Sequence, residues 1–167
     1  MADYHSFSRS NASKLYSTLH DTAIEFIDSL SRVPSEVNRM DEARVRAVRS
    51  QNYAHTWAHN YLVSKIPGLS DVLDVDGLIH HLKNMTANLD SWDTDVTDVM
   101  VDEVRKKVIV RASYWIQPKG LEKVENDLIW FLDLVEEDEA WKVSKSVEFI
   151  DGLATVKVLE LMMGKKD

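Results

Sequence analysis

The chain has 167 residues, of which 44% are hydrophobic, and its 20 basic and 28 acidic residues give a net charge of −8. This length suits one domain with a sizeable core. Because an acidic chain repels phosphate backbones, we expect no nucleic-acid partner. The absence of cysteine excludes disulfides, thiolate metal sites and a cysteine nucleophile. The sequence contains no apolar run of membrane-spanning length, so we expect no membrane association and a cytoplasmic location.

The first half of the chain has the periodicity of amphipathic helices. Apolar residues recur every three or four positions over residues 13–31, 35–48 and 74–89, and each run predicts a helix. Between the second and third runs, the aromatic-rich residues 52–63 predict a short strand. Residues 1–12 are polar and are predicted to form a flexible N-terminus before a single domain over residues 13–163.

The second half has the alternation of β-strands. Strands are predicted over residues 92–101, 108–116, 124–135 and 141–149, and residues 151–163 form either a terminal helix or an irregular tail. Helices that come early and strands that come late predict an α+β domain with helices on one face of a curved, mostly antiparallel sheet. The strand at 124–135 is apolar on both faces, so we expect helices and a second subunit to cover it.

Three local sequences resemble motifs of one enzyme family. These are Arg-Ser-Gln-Asn-Tyr-Ala-His at 49–55, Glu-Asn-Asp-Leu-Ile-Trp-Phe-Leu at 125–132 and Val-Glu-Phe-Ile-Asp at 147–151. In this order they resemble small fungal SnoaL-like enzymes, and the resemblance extends over residues 15–158. It implies the cone-shaped fold shared by nuclear transport factor two, polyketide cyclases and scytalone dehydratase. The chain departs from the pattern at Val124 and Leu128, where relatives carry tyrosines, and at Asp127, where they carry glutamate.

The resemblance also implies a function. The expected activity is that of an isomerase or cyclase that needs no cofactor, uses acid–base catalysis and works as a homodimer. The implied substrate is a hydrophobic polycyclic intermediate of fungal secondary metabolism, such as a polyketide, meroterpenoid, xanthone or alkaloid. Two alternatives stay open, namely a dehydratase similar to scytalone dehydratase and a non-catalytic dimeric binding module, because fold does not determine function.

Four residues are candidates for the catalytic role. Glu148 matches a family carboxylate, and in an apolar pocket its pKa would rise towards neutrality, as acid–base catalysis requires. Its alternation with Val147 and Phe149 is equally typical of a solvated strand residue. His55 can exchange a proton near neutral pH. Arg49 and Asn126 are candidates for holding a substrate oxygen, although Arg49 is also suited to stabilising a helix end.

Further residues are predicted to line the substrate site: Trp57, His59, Tyr114, Asp127, Leu128 and Trp130. Strand alternation puts His55, Trp57 and His59 on one face and puts Asp127 on the face opposite to Asn126. Tyr114 is either a weak acid or a core residue. We expect no metal, because His55 and His59 would lie roughly 13 Å apart on a strand. Dimerisation through the sheet is predicted to use a face formed by Trp141, Val143, Val147 and Phe149.

Overall fold

The structure, a computed structural model, describes residues 12–30 and 40–164. Its elements in chain order are α1 (Lys14–Asp28), α2 (Glu42–Ala47), β1 (Arg49–Trp57), α3 (Asn60–Val63), α4 (Val75–Thr86), β2 (Leu89–Asp102), β3 (Lys107–Pro118), β4 (Val124–Glu137), β5 (Ala140–Ile150) and α5 (Gly152–Met162). The predicted start of the second helix at residue 35 and most of the predicted flexible N-terminus, residues 1–11, lie outside the described residues.

The strands form one curved sheet in the order β1-β5-β4-β3-β2. Strands β2 to β5 are antiparallel neighbours, whereas β1 runs parallel to β5. The turn between β4 and β5 has two residues, Asp138 and Glu139, both with positive φ. That geometry matches the right-handed twist of a hairpin. The predicted α+β cone with a mostly antiparallel sheet is confirmed.

With the exception of the short helix α3, the helices bury apolar residues against one side of the sheet, which we call the inner face. Helix α1 begins after Ser13, whose side chain accepts a hydrogen bond from the backbone N–H of Tyr16. The buried side of α1 includes Phe26, whose ring lies edge-on to Trp130 of β4 at 5.4 Å between centroids. Residues 151–163, for which a helix or a tail was predicted, form helix α5, and Asp151 caps it.

Strand β1 ends earlier than the aromatic pattern predicts. It stops at Trp57, and the following residues turn into the short helix α3. His59 has a φ of 66°, in the left-handed region. Because this conformation ends the extended backbone of the strand, His59 does not continue the alternation of His55 and Trp57. The prediction that the three side chains share a strand face is therefore wrong.

A β-bulge in β5 changes which side chains face the core. Lys145 pairs with Asp133, and Val143 pairs with the next residue, Leu134, so Ser144 is left unpaired. Val143 and Ser146 are both fully buried although they lie three residues apart, a spacing that puts side chains on opposite faces of a regular strand.

The bulge divides the apolar face that was predicted for dimerisation. Trp141 and Val143 pack against the core on the inner face. Val147 and Phe149 lie on the opposite, outer face, where they pair in register with Phe131 and Ile129 of β4. The four residues therefore do not form one surface.

The outer face of the sheet is partly exposed. Ile129 and Phe131 retain 37% and 40% of their accessible surface. Charged pairs flank this apolar strip, including Arg111 with Asp127 and Lys107 with Asp133. None of the helices in the described part of the chain is long and apolar enough to cross a bilayer.

Candidate active site

A cavity of about 300 Å³ lies between the inner face of the sheet and helices α4 and α5. Its size is at the lower end of the range for small-molecule sites. Most of its wall is apolar or aromatic, and the aromatic part consists of Trp57, Trp92, Tyr114 and Trp130. The ionisable side chains His55 of β1 and Glu148 of β5 are part of this wall. The cavity is therefore mainly apolar, with a small number of polar groups in its wall.

Glu148 lies on the inner face of β5 with 12% of its side chain exposed. The bulge at Ser144 leaves Ser146, Glu148 and Ile150 facing inward. Burial raises the pKa of the Glu148 carboxyl to about 8, because desolvation disfavours the charged form, and a hydrogen bond from Trp57 opposes part of that rise. Glu148 is thus mainly protonated at pH 7.

His55 is fully buried on β1 and directly adjoins Glu148. Its Nε2 lies 3.8 Å from Glu148 Oε2, too far for a hydrogen bond, and has no hydrogen-bond partner among the described residues. The ring packs edge-on against Trp57 at 4.4 Å between centroids. Burial, followed by the charges of His81 and Arg49, lowers the pKa of His55 to about 3. The imidazole is therefore neutral at pH 7.

Together, these two groups offer a proton and a polar nitrogen to the same small space. A protonated carboxyl and a neutral imidazole carry no net charge, so an apolar cavity can hold both without an ion pair. Among the described residues His55 Nε2 has no hydrogen-bond partner, and Glu148 interacts with Trp57, so a substrate oxygen placed near both groups could interact with each. The arrangement is chemically suited to donating a proton to an oxygen and taking one back.

Two hydroxyl groups behind His55 were missed by the sequence predictions. His55 Nδ1 lies 2.9 Å from Ser146 Oγ, and Ser146 Oγ lies 2.6 Å from the Tyr53 hydroxyl. All three residues are buried. The available signal was that Ser146 and Glu148 alternate on β5, just as Tyr53 and His55 alternate on β1, but it becomes informative only when the two strands are known to be neighbours.

Arg49 lies behind the cavity wall and does not line the cavity. Its Nη1 donates hydrogen bonds to the Val45 carbonyl at 2.6 Å and to Ser29 Oγ at 3.1 Å. Its guanidinium stacks over the Phe26 ring, 4.2 Å from the centroid. With 3% of its surface exposed, Arg49 is held between α1, α2 and β1 and is not placed to contact a substrate oxygen.

Asn126 lines the cavity, but its amide is engaged by α5. Its Oδ1 accepts a hydrogen bond from the Asp151 backbone at 3.0 Å, and its Nδ2 donates to Thr155 Oγ1 at 3.1 Å. Asn126 therefore anchors the start of α5 beside the cavity. One N–H of the amide is left to interact with a bound molecule.

The remaining predicted lining residues divide into two groups. Trp57, Tyr114 and Trp130 line the cavity, and Trp130 Nε1 donates to the Tyr114 hydroxyl at 3.1 Å. Burial raises the pKa of Tyr114 well above its usual value, which makes it a poor acid. The second group does not reach the cavity: His59 is exposed beside Phe149, Asp127 pairs with Arg111 on the outer face, and Leu128 is buried in the core.

Comparison with solved structures identifies the fold. PrhC from Penicillium brasilianum superposes with a TM-score of 0.72 at 19% identity, covering 90% of this chain and 91% of that one. BvnE pinacolase from Penicillium brevicompactum gives 0.72 at 19%, covering 91% and 95%. A proposed SnoaL-like polyketide cyclase from Jannaschia gives 0.63 at 14%, covering 87% and 94%. The fold is SnoaL-like. By sequence, the chain matches no family model and no curated protein.

Within this SnoaL-like cone, α4 and β2 add polar groups that the sequence predictions did not assign. His81 of α4 lines the cavity next to Trp57, and burial followed by the neighbouring His80 lowers its pKa. Trp92 also lines the cavity, and its indole N–H has no hydrogen-bond partner among the described residues. In the described ranges, no three His, Asp or Glu side chains cluster as metal ligands would.

Proposed function

We propose that the chain is a cofactor-independent isomerase or cyclase that moves a proton within a hydrophobic ring-containing substrate. The observation that supports this proposal is a buried carboxyl, Glu148, with a pKa of about 8 beside a neutral imidazole in an apolar cavity. A general acid works best when its pKa lies near the working pH. Burying a carboxyl among apolar side chains is costly for folding, and groups with such perturbed pKa values concentrate at functional sites.

In the proposed reaction, Glu148 transfers its proton to a substrate oxygen, and His55 contacts the same oxygen as negative charge develops there. The resulting Glu148 carboxylate then removes a proton from a neighbouring carbon or from a newly formed hydroxyl. The enzyme ends in its starting state, and the product has the same mass as the substrate. The aromatic walls hold the substrate in the conformation that closes or rearranges the ring.

The cavity volume limits the substrate. A cavity of about 150 Å³ lined by apolar side chains is large enough for benzene. The 300 Å³ cavity here is about twice that size, which corresponds to roughly two fused rings. We infer that two rings with one oxygen function enter the cavity, and that a larger polycyclic substrate extends outward from it.

Structural neighbours support the choice of a rearrangement. The Penicillium brevicompactum protein is described as a pinacolase, and the Jannaschia protein as a proposed polyketide cyclase. Dehydration is the second candidate, because protonation of a β-hydroxyl by Glu148 followed by removal of the α-proton would expel water. The two candidates differ in product mass, which is unchanged for isomerisation and lower by one water for dehydration.

A direct test uses solvent-deuterium exchange, since it needs only the proton-transfer step. The probe is β-tetralone, a two-ring ketone, incubated with purified protein in D₂O and followed by mass spectrometry. We expect exchange above background for the wild type and a loss of roughly 10²–10⁴-fold in Glu148→Gln. Glu125→Gln is the matched control, because Glu125 is an exposed β4 residue that accepts a hydrogen bond from Ser113 outside the cavity.

The same measurement separates an enzyme from a binding module. If β-tetralone shifts the NMR signals of cavity residues without any exchange above background, the cavity binds but does not catalyse, and the proposal is wrong. If Glu148→Gln exchanges as fast as the wild type, Glu148 is not the acid. A β-hydroxy ketone of the same ring size tests dehydration, which predicts a product lighter by one water.

A further inference from the structure

Three buried side chains form a continuous path from the back of the site to His55. Arg49 lies beside Tyr53, with Cζ 5.2 Å from the ring centroid, and the Tyr53 hydroxyl contacts Ser146 Oγ at 2.6 Å. Ser146 Oγ in turn contacts His55 Nδ1 at 2.9 Å. Each of the four residues is at least 95% buried. Solvent therefore does not compete for these hydrogen bonds.

The serine hydroxyl has one proton, so the path can be ordered in two ways. In the first, Tyr53 donates to Ser146 and Ser146 donates to His55 Nδ1, which places the imidazole proton on Nε2. In the second, His55 Nδ1–H donates to Ser146 and Ser146 donates to Tyr53, which leaves Nε2 bare. His55 Nε2 is thus a hydrogen-bond donor towards the cavity in the first order and an acceptor in the second.

The charge of Arg49 selects between these orders. A guanidinium has only donors, and Nε and Nη2 of Arg49 have no hydrogen-bond partner among the described residues, so its charge favours a nearby hydroxyl whose proton points away from it. The positive charge of Arg49 acts on the Tyr53 hydroxyl in this sense, opposing the rise in the Tyr53 pKa that burial causes. The proton of Tyr53 is then directed to Ser146, whose own proton has His55 Nδ1 as its remaining side-chain acceptor, so the first order uses every proton of the path.

We propose that Arg49, Tyr53 and Ser146 are positioning residues that fix His55 as the tautomer protonated on Nε2. His55 is then a hydrogen-bond donor to the substrate oxygen and not a base. The proposal extends the proposed function and depends on it for the substrate oxygen, whereas the tautomer itself can be measured without any substrate. It also gives Arg49 a role at a distance from the reacting atoms, and it explains why the Ser146 hydroxyl is buried beside a histidine.

The spacing between His55 and Glu148 fits this tautomer. At pH 7 Glu148 also carries a proton, so two donors face each other across 3.8 Å without a hydrogen bond between them. An oxygen acceptor placed against both would satisfy the two donors at once. The site is therefore built for a carbonyl, ether or hydroxyl oxygen, and it is poorly suited to an ammonium group.

The test is the tautomer of His55 in full-length protein labelled with ¹⁵N-histidine. Long-range ¹H–¹⁵N correlation at pH 7 distinguishes a proton on Nδ1 from one on Nε2, and His55→Gln identifies the His55 signals among those of the six histidines. We expect a neutral ring protonated on Nε2. A ring protonated on Nδ1, or on both nitrogens, overturns the proposal whatever the activity of the protein.

Variants test the path itself. In Ser146→Ala we expect the ratio of the Nε2–H to the Nδ1–H form to fall about fivefold, which is the effect of losing one net hydrogen bond. Tyr53→Phe keeps Ser146 but removes its donor, so the ratio should fall in the same direction. Ser113→Ala is the control, since Ser113 donates to Glu125 outside the cavity. An unchanged ratio in both variants contradicts the proposal.

The tautomer proposal and the proposed function can be rejected independently of each other. If His55 is protonated on Nε2 but β-tetralone takes up no deuterium, the proposed hydrogen-bond path is supported and the proposed enzymatic function is wrong. If deuterium exchange depends on Glu148 but His55 is protonated on Nδ1, the proposed enzymatic function is supported and the proposed hydrogen-bond path is wrong. If Ser146→Ala loses its native spectrum, the wild-type tautomer and Tyr53→Phe still decide the question.

Discussion

Glu148 and Asp127 lie on opposite faces of the same sheet, and the two faces give their carboxyl groups opposite properties. On the outer face, Arg111 Nε donates to Asp127 at 3.0 Å and the hydrogen bonds from Arg111 lower the pKa of Asp127. On the inner face, desolvation raises the pKa of Glu148 to about 8. Both residues are carboxylates on strands. The direction of their pKa shifts therefore depends on the face of the sheet on which each lies, and not on residue type.

The same contrast holds for two neighbours in β4. Trp130 retains 2% of its surface on the inner face, where it contacts Phe26 and His55, whereas Phe131 retains 40% on the outer face. One peptide step thus separates a core residue from a surface residue. The inner face is a specialised environment that the helices create, and variants can measure how different it is from the outer face.

The largest expected difference is in stability. Trp130→Ala should reduce the free energy of unfolding by about 3–5 kcal/mol, because it leaves a cavity and removes the donor to Tyr114. Phe131→Ala should cost less than about 1 kcal/mol per monomer, since much of that ring is already exposed. Urea unfolding of both variants measures the difference. Equal losses would mean that the outer face is as well covered as the inner one.

A second difference is the dependence of stability on pH. The pKa of Glu148 is about 8 in the folded protein against an ordinary value of 4.5, so the folded state binds the extra proton and stability falls as pH rises through this range. Below pH 6.5 the lowered pKa values of His55 and His81 act in the opposite sense, because the ordinary value of both is 6.5. The contribution of Glu148 to stability is therefore best measured between pH 6.5 and 8.

Over this window the wild type should lose about 1.5 kcal/mol of unfolding free energy relative to Glu148→Gln. Glu148→Gln cannot titrate, so its stability should stay nearly constant between the same limits. Urea unfolding at several pH values is the measurement. A wild-type profile as flat as that of the variant would show that Glu148 titrates near its ordinary pKa, which would also remove the basis of its proposed catalytic role.

The smallest expected effect concerns the outer face as a contact surface. We propose that a second copy of the chain covers the apolar strip of Ile129, Phe131, Val147 and Phe149, which charged pairs surround. Phe131→Asp should weaken association by at least about tenfold, or about 1.4 kcal/mol, by placing a charge in this strip. Analytical ultracentrifugation measures it, with Val104→Asp in the β2–β3 turn as control. A wild-type chain that stays monomeric would contradict the proposal.

Local pattern was sufficient to predict most of the fold. The helical spacing of Leu19, Ala23, Phe26 and Ile27 predicts the buried side of α1, and the alternation in β3 predicts which of its residues are buried. These features depend on neighbours in sequence, which periodicity reports directly. The prediction of the cone also rested on the order of the elements and on the family resemblance.

Features that depend on distant neighbours were not predictable. The parallel pairing of β1 with β5 puts His55 opposite Ser146, about ninety residues away, and no motif links the two. Arg49 was singled out from a motif, but nothing near it in sequence indicates that Phe26 and Val45 enclose it. At His59, the aromatic alternation continues in sequence while the backbone turns into the left-handed region.

The unpaired Ser144 has a consequence for how this protein can change over time. Removing that single position would rotate one half of β5 relative to the other, so that either Trp141 and Val143 or Ser146 and Glu148 would point to the wrong side. Point substitutions in β5 can adjust the chemistry gradually, whereas a one-codon deletion there would disconnect the acid from the rest of its site in one step. The strand is therefore intolerant of a change in length between Val143 and Ser146.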